Sequence, residues 1–436
     1  MKKIRFRKNL IHDYAINRVW WLNPVRIYTI LMLLVFGAYW MSGTQYKILY
    51  HTNKAINEGY ILLYFLSFLL FSLGYSISKK YRFFLKLNLK NENKIDILDV
   101  YRVYKVFFGI CIGAYLIWYF NFIFINGWEI LLNFKSFSSI SRVIYYLHNH
   151  SGKITGITTF TELGIIVIPL AVYLLYESDN WIERHKRKRD ILFIFLLAFF
   201  RALAFSERLA IVELLIAYLV AYLAKNRRLK KNIWVALFPF LALILLFIIF
   251  GIFEYSRSWL TYYVHYYDSY SSFIVQRVIG YYTNAINTEC LYIQHGPDII
   301  FPFRSVQWIW ELPGFSNLMN AMLSMNLFDK YHMVLRQFGN PEYNNCGGIL
   351  TFYTDYRNFF FVFEIIFGYM VGRIYKSYLK GNLFGLLGYV LVFLTLIDMP
   401  RFFTLGLPKT FFVYLGLIFM YVYLKRPKNR EKSGLR

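Results

Sequence analysis

Phe200 to Glu213 reads FRALAFSERLAIVE, inside a run from Ile191 to Ala224 that has few other polar residues. Read as one helix, the run would extend about 51 Å at 1.5 Å per residue, far more than the roughly 30 Å of bilayer hydrocarbon. It would also carry Arg201, Glu207, Arg208 and Glu213, and a charge at the centre of a bilayer costs about 2.5 to 3.5 kcal/mol. Two shorter spans, 191–205 and 208–224, resolve both difficulties. The hairpin then turns near Ser206 and Glu207, which brings Glu207 and Arg208 to a membrane surface and leaves Arg201 and Glu213 about one turn deeper.

Working outward, the same apolar pattern recurs. The 436-residue chain is 58% hydrophobic and 21% aromatic, and runs of membrane-crossing length predict an all-α, polytopic membrane protein with about ten spans. The predicted organisation is a cytoplasmic lead-in (1–24), seven spans (25–253), a large extracytoplasmic loop with short helices (254–358), three spans (359–424) and a cytoplasmic tail (425–436). Among the short segments, Lys and Arg favour the side that holds both termini by more than three to one, which orients the chain. The net charge of +25 is therefore read as topology and contact with anionic membrane lipids, not as nucleic-acid binding. SKKYRFFLKLNLKNENK and ERHKRKRD are such anchors. Cys111, Cys290 and Cys346 have no zinc-like spacing, although Cys290 and Cys346 could pair if their loop is extracytoplasmic.

The loop 254–358 carries most of the chemistry, since a loop of this length is usually functional or folded in its own right. SFIVQRVIGYYTNAI (272–286) suits a short interfacial or re-entrant helix. No P-loop, dinucleotide turn, HExxH, GxSxG or DxD-like motif is present, so soluble-type nucleotide and hydrolase chemistry lacks support. The predicted outer face offers arginine instead: Arg201, Arg208, Arg257 and Arg357 at span ends, with Arg304 and Arg336 in the loop. Guanidinium groups bind phosphate bidentately and keep their charge when partly desolvated; the alternative for each is snorkelling or pairing with a carboxylate such as Glu207 or Glu213. His332, Glu342 and Asp355 are the candidate general bases, and Tyr343 and Trp308 the candidate sugar-stacking rings. Glu162, Glu213 and Glu364 fall within predicted spans, where an acid can also mark a transporter's proton relay. Asp398 and Arg401 look like a local ion pair.

These features resemble the Wzy-type oligosaccharide repeat unit polymerases of O-antigen and capsule synthesis. The resemblance rests on the many spans, the large late loop, the SERLA hairpin and NPEYNNCGGILTFYTDYRNFFFVFEIIFGYMVGRIY (340–375). The R-x10-G spacing of some members fits Arg336 to Gly347 and Arg357 to Gly368. What the resemblance implies is a glycosyltransferase without metal or other cofactor, acting on undecaprenyl-diphosphate-linked oligosaccharide at the outer face of the bacterial cytoplasmic membrane. A chain-length regulator and a flippase would be its partners. An O-antigen ligase and a lipid-linked oligosaccharide flippase or transporter are the alternatives.

Overall fold

The computed structural model describes residues 19–80, 95–124, 154, 156–205, 207–226, 233–260 and 262–426. Every regular element among them is helical. The first eight helices are α1 (Pro24–Trp40), α2 (Gly43–Tyr50), α3 (Glu58–Lys80), α4 (Ile97–Phe124), α5 (Gly164–Glu177), α6 (Trp181–Phe205), α7 (Arg208–Lys225) and α8 (Ile233–Glu254). The rest are α9 (Tyr270–His295), α10 (Gln307–Trp310), α11 (Phe315–Leu323), α12 (Leu327–Phe338), α13 (Thr351–Tyr356), α14 (Phe360–Leu379), α15 (Leu383–Asp398) and α16 (Phe411–Lys425).

Among the described residues, five segments are long and apolar enough to cross a membrane: α3, the first part of α4, Thr158–Glu177, α8 and Thr351–Leu379. The pair α1 and α2 is a sixth if counted as one span, bent by 96° at Met41 and Ser42. The hairpin in FRALAFSERLAIVE is two helices, α6 ending at Phe205 and α7 starting at Arg208, with Ser206 outside the described residues. Asn23 starts α1 by accepting the amides of Val25 and Arg26 at 3.1 and 3.4 Å, and Pro24 fills the first position, where no donor is missed.

Exposure separates the helices. In the most apolar stretch of Thr158–Glu177, 83% is buried, whereas in α8 only 6% is. The first is a central helix, apolar all round because neighbours surround it. An α8 that shows Leu243, Ile244, Ile248 and Ile252 outward has no place in water, since apolar patches of this size need lipid or protein against them.

The closest crossing joins α3 and α14. A Cβ on Gly74 would lie 2.1 Å from the Ile365 carbonyl oxygen, one on Gly368 2.1 Å from that of Phe71, and one on Gly372 2.0 Å from Ser78 Oγ. Gly368 and Gly372 form a GxxxG pair, which lets backbones meet where hydrophobic segregation gives helices no drive to associate.

One expectation is corrected. Residues 272–286, expected as a short interfacial or re-entrant helix, are not a short helix but the first part of the 26-residue α9. From Thr283 to Tyr292 it is buried throughout, packed against α1, α8 and α12. Its buried positions include Thr283, Asn284, Asn287, Thr288 and Glu289, and distant groups reach three of them, Tyr64 donating to Glu289 at 2.9 Å. Tyr46 donates to Asn284 at 2.8 Å, and Asn287 accepts the Ala55 amide at 2.6 Å.

Gly368→Leu is expected to destabilise the protein by about 3 kcal/mol or more, the upper end of overpacking penalties, because a backbone carbonyl cannot swing aside. Gly37→Leu, at a site where a Cβ meets nothing within 4 Å, should be nearly neutral. Thermal unfolding of both variants in detergent checks the pair.

Candidate functional site

The site grows from the loop Asn344–Gly348. Gly347 donates its amide to the Ala285 carbonyl at 2.7 Å, and Gly348 donates to that of Met399 at 2.7 Å. A Cβ on Gly347 would sit 2.7 Å from Glu289 Oε2, and one on Gly348 2.4 Å from the Phe403 nitrogen. Two glycines in a row therefore bring α9 and the turn after α15 into direct contact with one strand of backbone.

Glu289 is the charged centre of this junction and has no solvent exposure. It accepts from the Leu350 amide and the Tyr64 hydroxyl, each at 2.9 Å, and Arg304 Nη1 stands 3.7 Å from it. Burial pushes its carboxyl up to about 7, opposed by the Arg304 charge, the Tyr64 hydroxyl and the amides of Leu350 and Ile349. Arg304 Nη2 donates to the carbonyls of Cys346, at 3.1 Å, and Gly347. Asp355 fixes the other side of the same turn, accepting the amides of Arg304 at 2.9 Å and Ser305 at 2.7 Å.

Basic side chains from distant elements meet next to this junction. Arg201 pairs with Glu207 at 2.6 Å, lies 3.7 Å from Glu162 and donates to Thr161 at 2.7 Å. Lys409 pairs with Glu213. Arg208 pairs with Glu254 at 2.7 Å, and Arg277 joins Glu342 at 2.9 Å with Glu254 4.0 Å away. The Tyr281 ring lies among three guanidinium groups: Arg277 at 5.3 Å, Arg401 at 5.6 Å and Arg208 at 6.0 Å from its centroid. Charges of this kind, partly removed from water, are costly to leave without a partner.

A cavity of about 510 Å³ adjoins the belt. Arg304, Gln307, His332, Asn344, Asn345 and Lys409 supply its polar wall, and Phe328, Tyr331, Phe402, Phe403 and Leu407 much of its apolar wall. It combines cationic and amide donors with apolar surface, a lining suited to a ligand with an anionic head and a hydrophobic or sugar body.

The predicted site residues divide as follows. His332 and Arg304 face the same cavity. Arg201 and Arg208 are in the belt, each with a carboxylate. Glu342 is engaged by Arg277 and the Tyr263 hydroxyl, and Asp355 by two amides, so neither carboxylate is free. Tyr343 is buried between Tyr50 and Tyr281, with the Arg277 guanidinium 4.9 Å from its ring. Trp308 packs on Phe411 and Tyr414. Arg357 lies apart, paired with Asp298 at 3.1 Å and donating to the Pro297 carbonyl at 2.8 Å. Arg336 is exposed near the end of α12. The side chain of Arg257 lies outside the described residues. Cys290 and Cys346 are buried free thiols, not a pair.

The sequence does not mark Arg277, Glu254, Glu289, Lys409 and Arg401 as site residues. Its spacing suggests Arg401 as the partner of Asp398, but the side chains do not pair. Asp398 Oδ2 accepts from Thr404 at 3.0 Å, while the Arg401 guanidinium is over the rings of Tyr281 and Phe402.

The raised Glu289 carboxyl has a signed consequence. An acid whose folded pKa lies above its unfolded value gives up its proton earlier in the unfolded chain, so stability falls as pH rises from about 4.5 toward 7. Between pH 5 and pH 8 the stability of Glu289→Gln relative to wild type should therefore improve, by at most about 3 kcal/mol. Thermal midpoints of both proteins across that range test it; parallel pH curves would mean that Glu289 titrates normally.

Compared with protein-family models, with curated protein sequences and with solved structures, the chain matches none.

Proposed function

We propose that this chain is a polymerase of the Wzy type, joining undecaprenyl-diphosphate-linked oligosaccharide repeat units at the outer face of a bacterial cytoplasmic membrane. In this reading the ten apolar helices foreseen in the sequence all cross the bilayer, both termini are cytoplasmic, and residues 254–358 form the extracytoplasmic part of the site. The observation that carries it is the convergence of Arg201, Arg208, Arg277, Arg401 and Lys409, from elements far apart in the chain, beside a cavity that also exposes Arg304 and His332. A lipid diphosphate needs cations that remain charged at the edge of hydrocarbon, and arginine meets that need.

The reaction would proceed by attack of an acceptor sugar hydroxyl on the anomeric carbon of the growing glycan. The new glycosidic C–O bond forms as the bond from that carbon to the lipid diphosphate breaks, and the diphosphate leaves with the electron pair. The basic belt would stabilise the negative charge gathering on it. The hydroxyl proton would pass to a base, for which His332 in the cavity wall is the candidate. Sugar transfer of this kind calls on no metal or nucleotide.

A transporter reading draws on a different feature. Glu364 of α14 is fully buried, accepts from Ser67 at 2.7 Å and has one oxygen without a hydrogen-bond partner. Ser67 in turn meets Tyr28 at 2.8 Å. Such a buried polar chain is a feature of proton-coupled carriers.

Purified protein in nanodiscs, supplied only with undecaprenyl-diphosphate-linked repeat units, should yield a ladder of longer glycans. A ligase lacking lipid A core, or a transporter, would leave single units. Arg208→Ala should reduce the ladder to single units; because it strands the buried Glu254, at a cost of about 3 to 5 kcal/mol, the double variant with Glu254→Gln is the cleaner probe. A normal ladder from that double variant would remove Arg208 from the site.

A further inference from the structure

Among the cations around Tyr281, Arg401 differs in one respect. Arg208 has Glu254 at 2.7 Å and Arg277 has Glu342 at 2.9 Å, while among the described residues no carboxylate lies within ion-pair distance of Arg401. The nearest acid in sequence, Asp398, is turned to the Thr404 hydroxyl, and its contact with Arg401 runs through backbone, the Arg401 amide donating to the Asp398 carbonyl at 2.7 Å. Asp398 still feels the charges of Lys409 and Arg401, so the local field is moderated without being closed by a pair.

The guanidinium is half-buried, held 5.6 Å from the Tyr281 centroid and 5.3 Å from that of Phe402. Its Nε is buried and has no hydrogen-bond partner. Phe402 lines the cavity, so Arg401 stands where the arginine belt meets that cavity. Its position is fixed by backbone: Gly348 holds the Met399 carbonyl and leaves no room for a Cβ against Phe402 and Phe403. A cation kept charged by aromatic faces, with unused donors and no fixed counter-ion, is prepared for an anion that arrives from outside.

We infer that Arg401 is the residue by which the belt takes hold of a diphosphate group, with Arg208 and Arg277 around the same ring supporting the charge. This deepens the polymerase reading and rests on it. The shared chemistry is a diphosphate, whether attached to a polyprenyl chain or free.

The test uses the full-length protein in nanodiscs of neutral lipid, with binding of undecaprenyl diphosphate, undecaprenol and inorganic pyrophosphate followed by native mass spectrometry. Wild type should bind undecaprenyl diphosphate, and Arg401→Gln should weaken that binding about tenfold or more. Undecaprenol binding and the thermal midpoint should stay unchanged. Arg401→Lys keeps the charge but not the fork, so it should bind with intermediate affinity, which covers the case in which Arg401→Gln is poorly folded. Lys330→Gln, on the exposed face of α12, should bind as wild type does. Pyrophosphate binding that falls in parallel would assign the contact to the diphosphate head alone, whereas loss seen only for the lipid form would assign it to the lipid-linked source. Wild-type affinity in both Arg401 variants would overturn the inference while leaving the polymerase reading to its glycan ladder. Failure of the wild-type protein to bind either diphosphate would overturn both.

Discussion

The structure depends on a backbone wedge. Gly347 and Gly348 lie where any side chain would collide, the first with Glu289 of α9 and the second with the Phe402–Phe403 backbone. Through their amides they tie α9 to the turn after α15, and through the Gly347 carbonyl they hold Arg304. The cavity wall at Cys346 and Phe403 and the buried acid Glu289 adjoin this junction, and Arg401 follows the Met399 carbonyl that Gly348 holds. Moving it by an ångström would change the separation of every charge around it, and charge interactions in a partly dry site are steep in distance.

The second constraint is that charges at the rim of an apolar helix bundle must be matched. Arg201, Arg208, Arg277 and Lys409 each have a carboxylate within ion-pair distance. Such pairs add little net stability, since desolvation offsets most of the attraction, but breaking one strands its partner. They therefore act mainly to fix geometry, and Arg401, which has no carboxylate within ion-pair distance among the described residues, is the part of the belt we assign to a ligand.

Much of this was legible in the sequence where length and charge constrain the chain locally. The hairpin of α6 and α7 followed from arithmetic, because the run is too long for one span and its charges cluster at the middle. The helical class came from the same kind of reasoning, as did the pairing of Arg201 with a carboxylate such as Glu207. What was not legible depends on contacts across long separations. α9 shows no apolar run because its buried face carries Asn284, Asn287 and Glu289, whose partners Tyr46, Ala55 and Tyr64 lie more than two hundred residues away. Arg277 could not be matched to Glu254 and Glu342 without the path of that helix. Arg401 was assigned to Asp398 because they are three residues apart, and only the turn after α15 directs it to Tyr281 instead. The glycine pair carries no local signal, since neither residue has a positive φ; their need for glycine comes wholly from what approaches them.

The most direct test of the account is an electron cryomicroscopy structure in a lipid nanodisc with undecaprenyl diphosphate bound. The account predicts phosphate density at the Arg401 guanidinium, beside the Tyr281 and Phe402 rings and continuous with the cavity of Arg304 and His332. A polyprenyl diphosphate bound elsewhere on the molecule, with the Arg401 guanidinium closed onto Asp398, would contradict it.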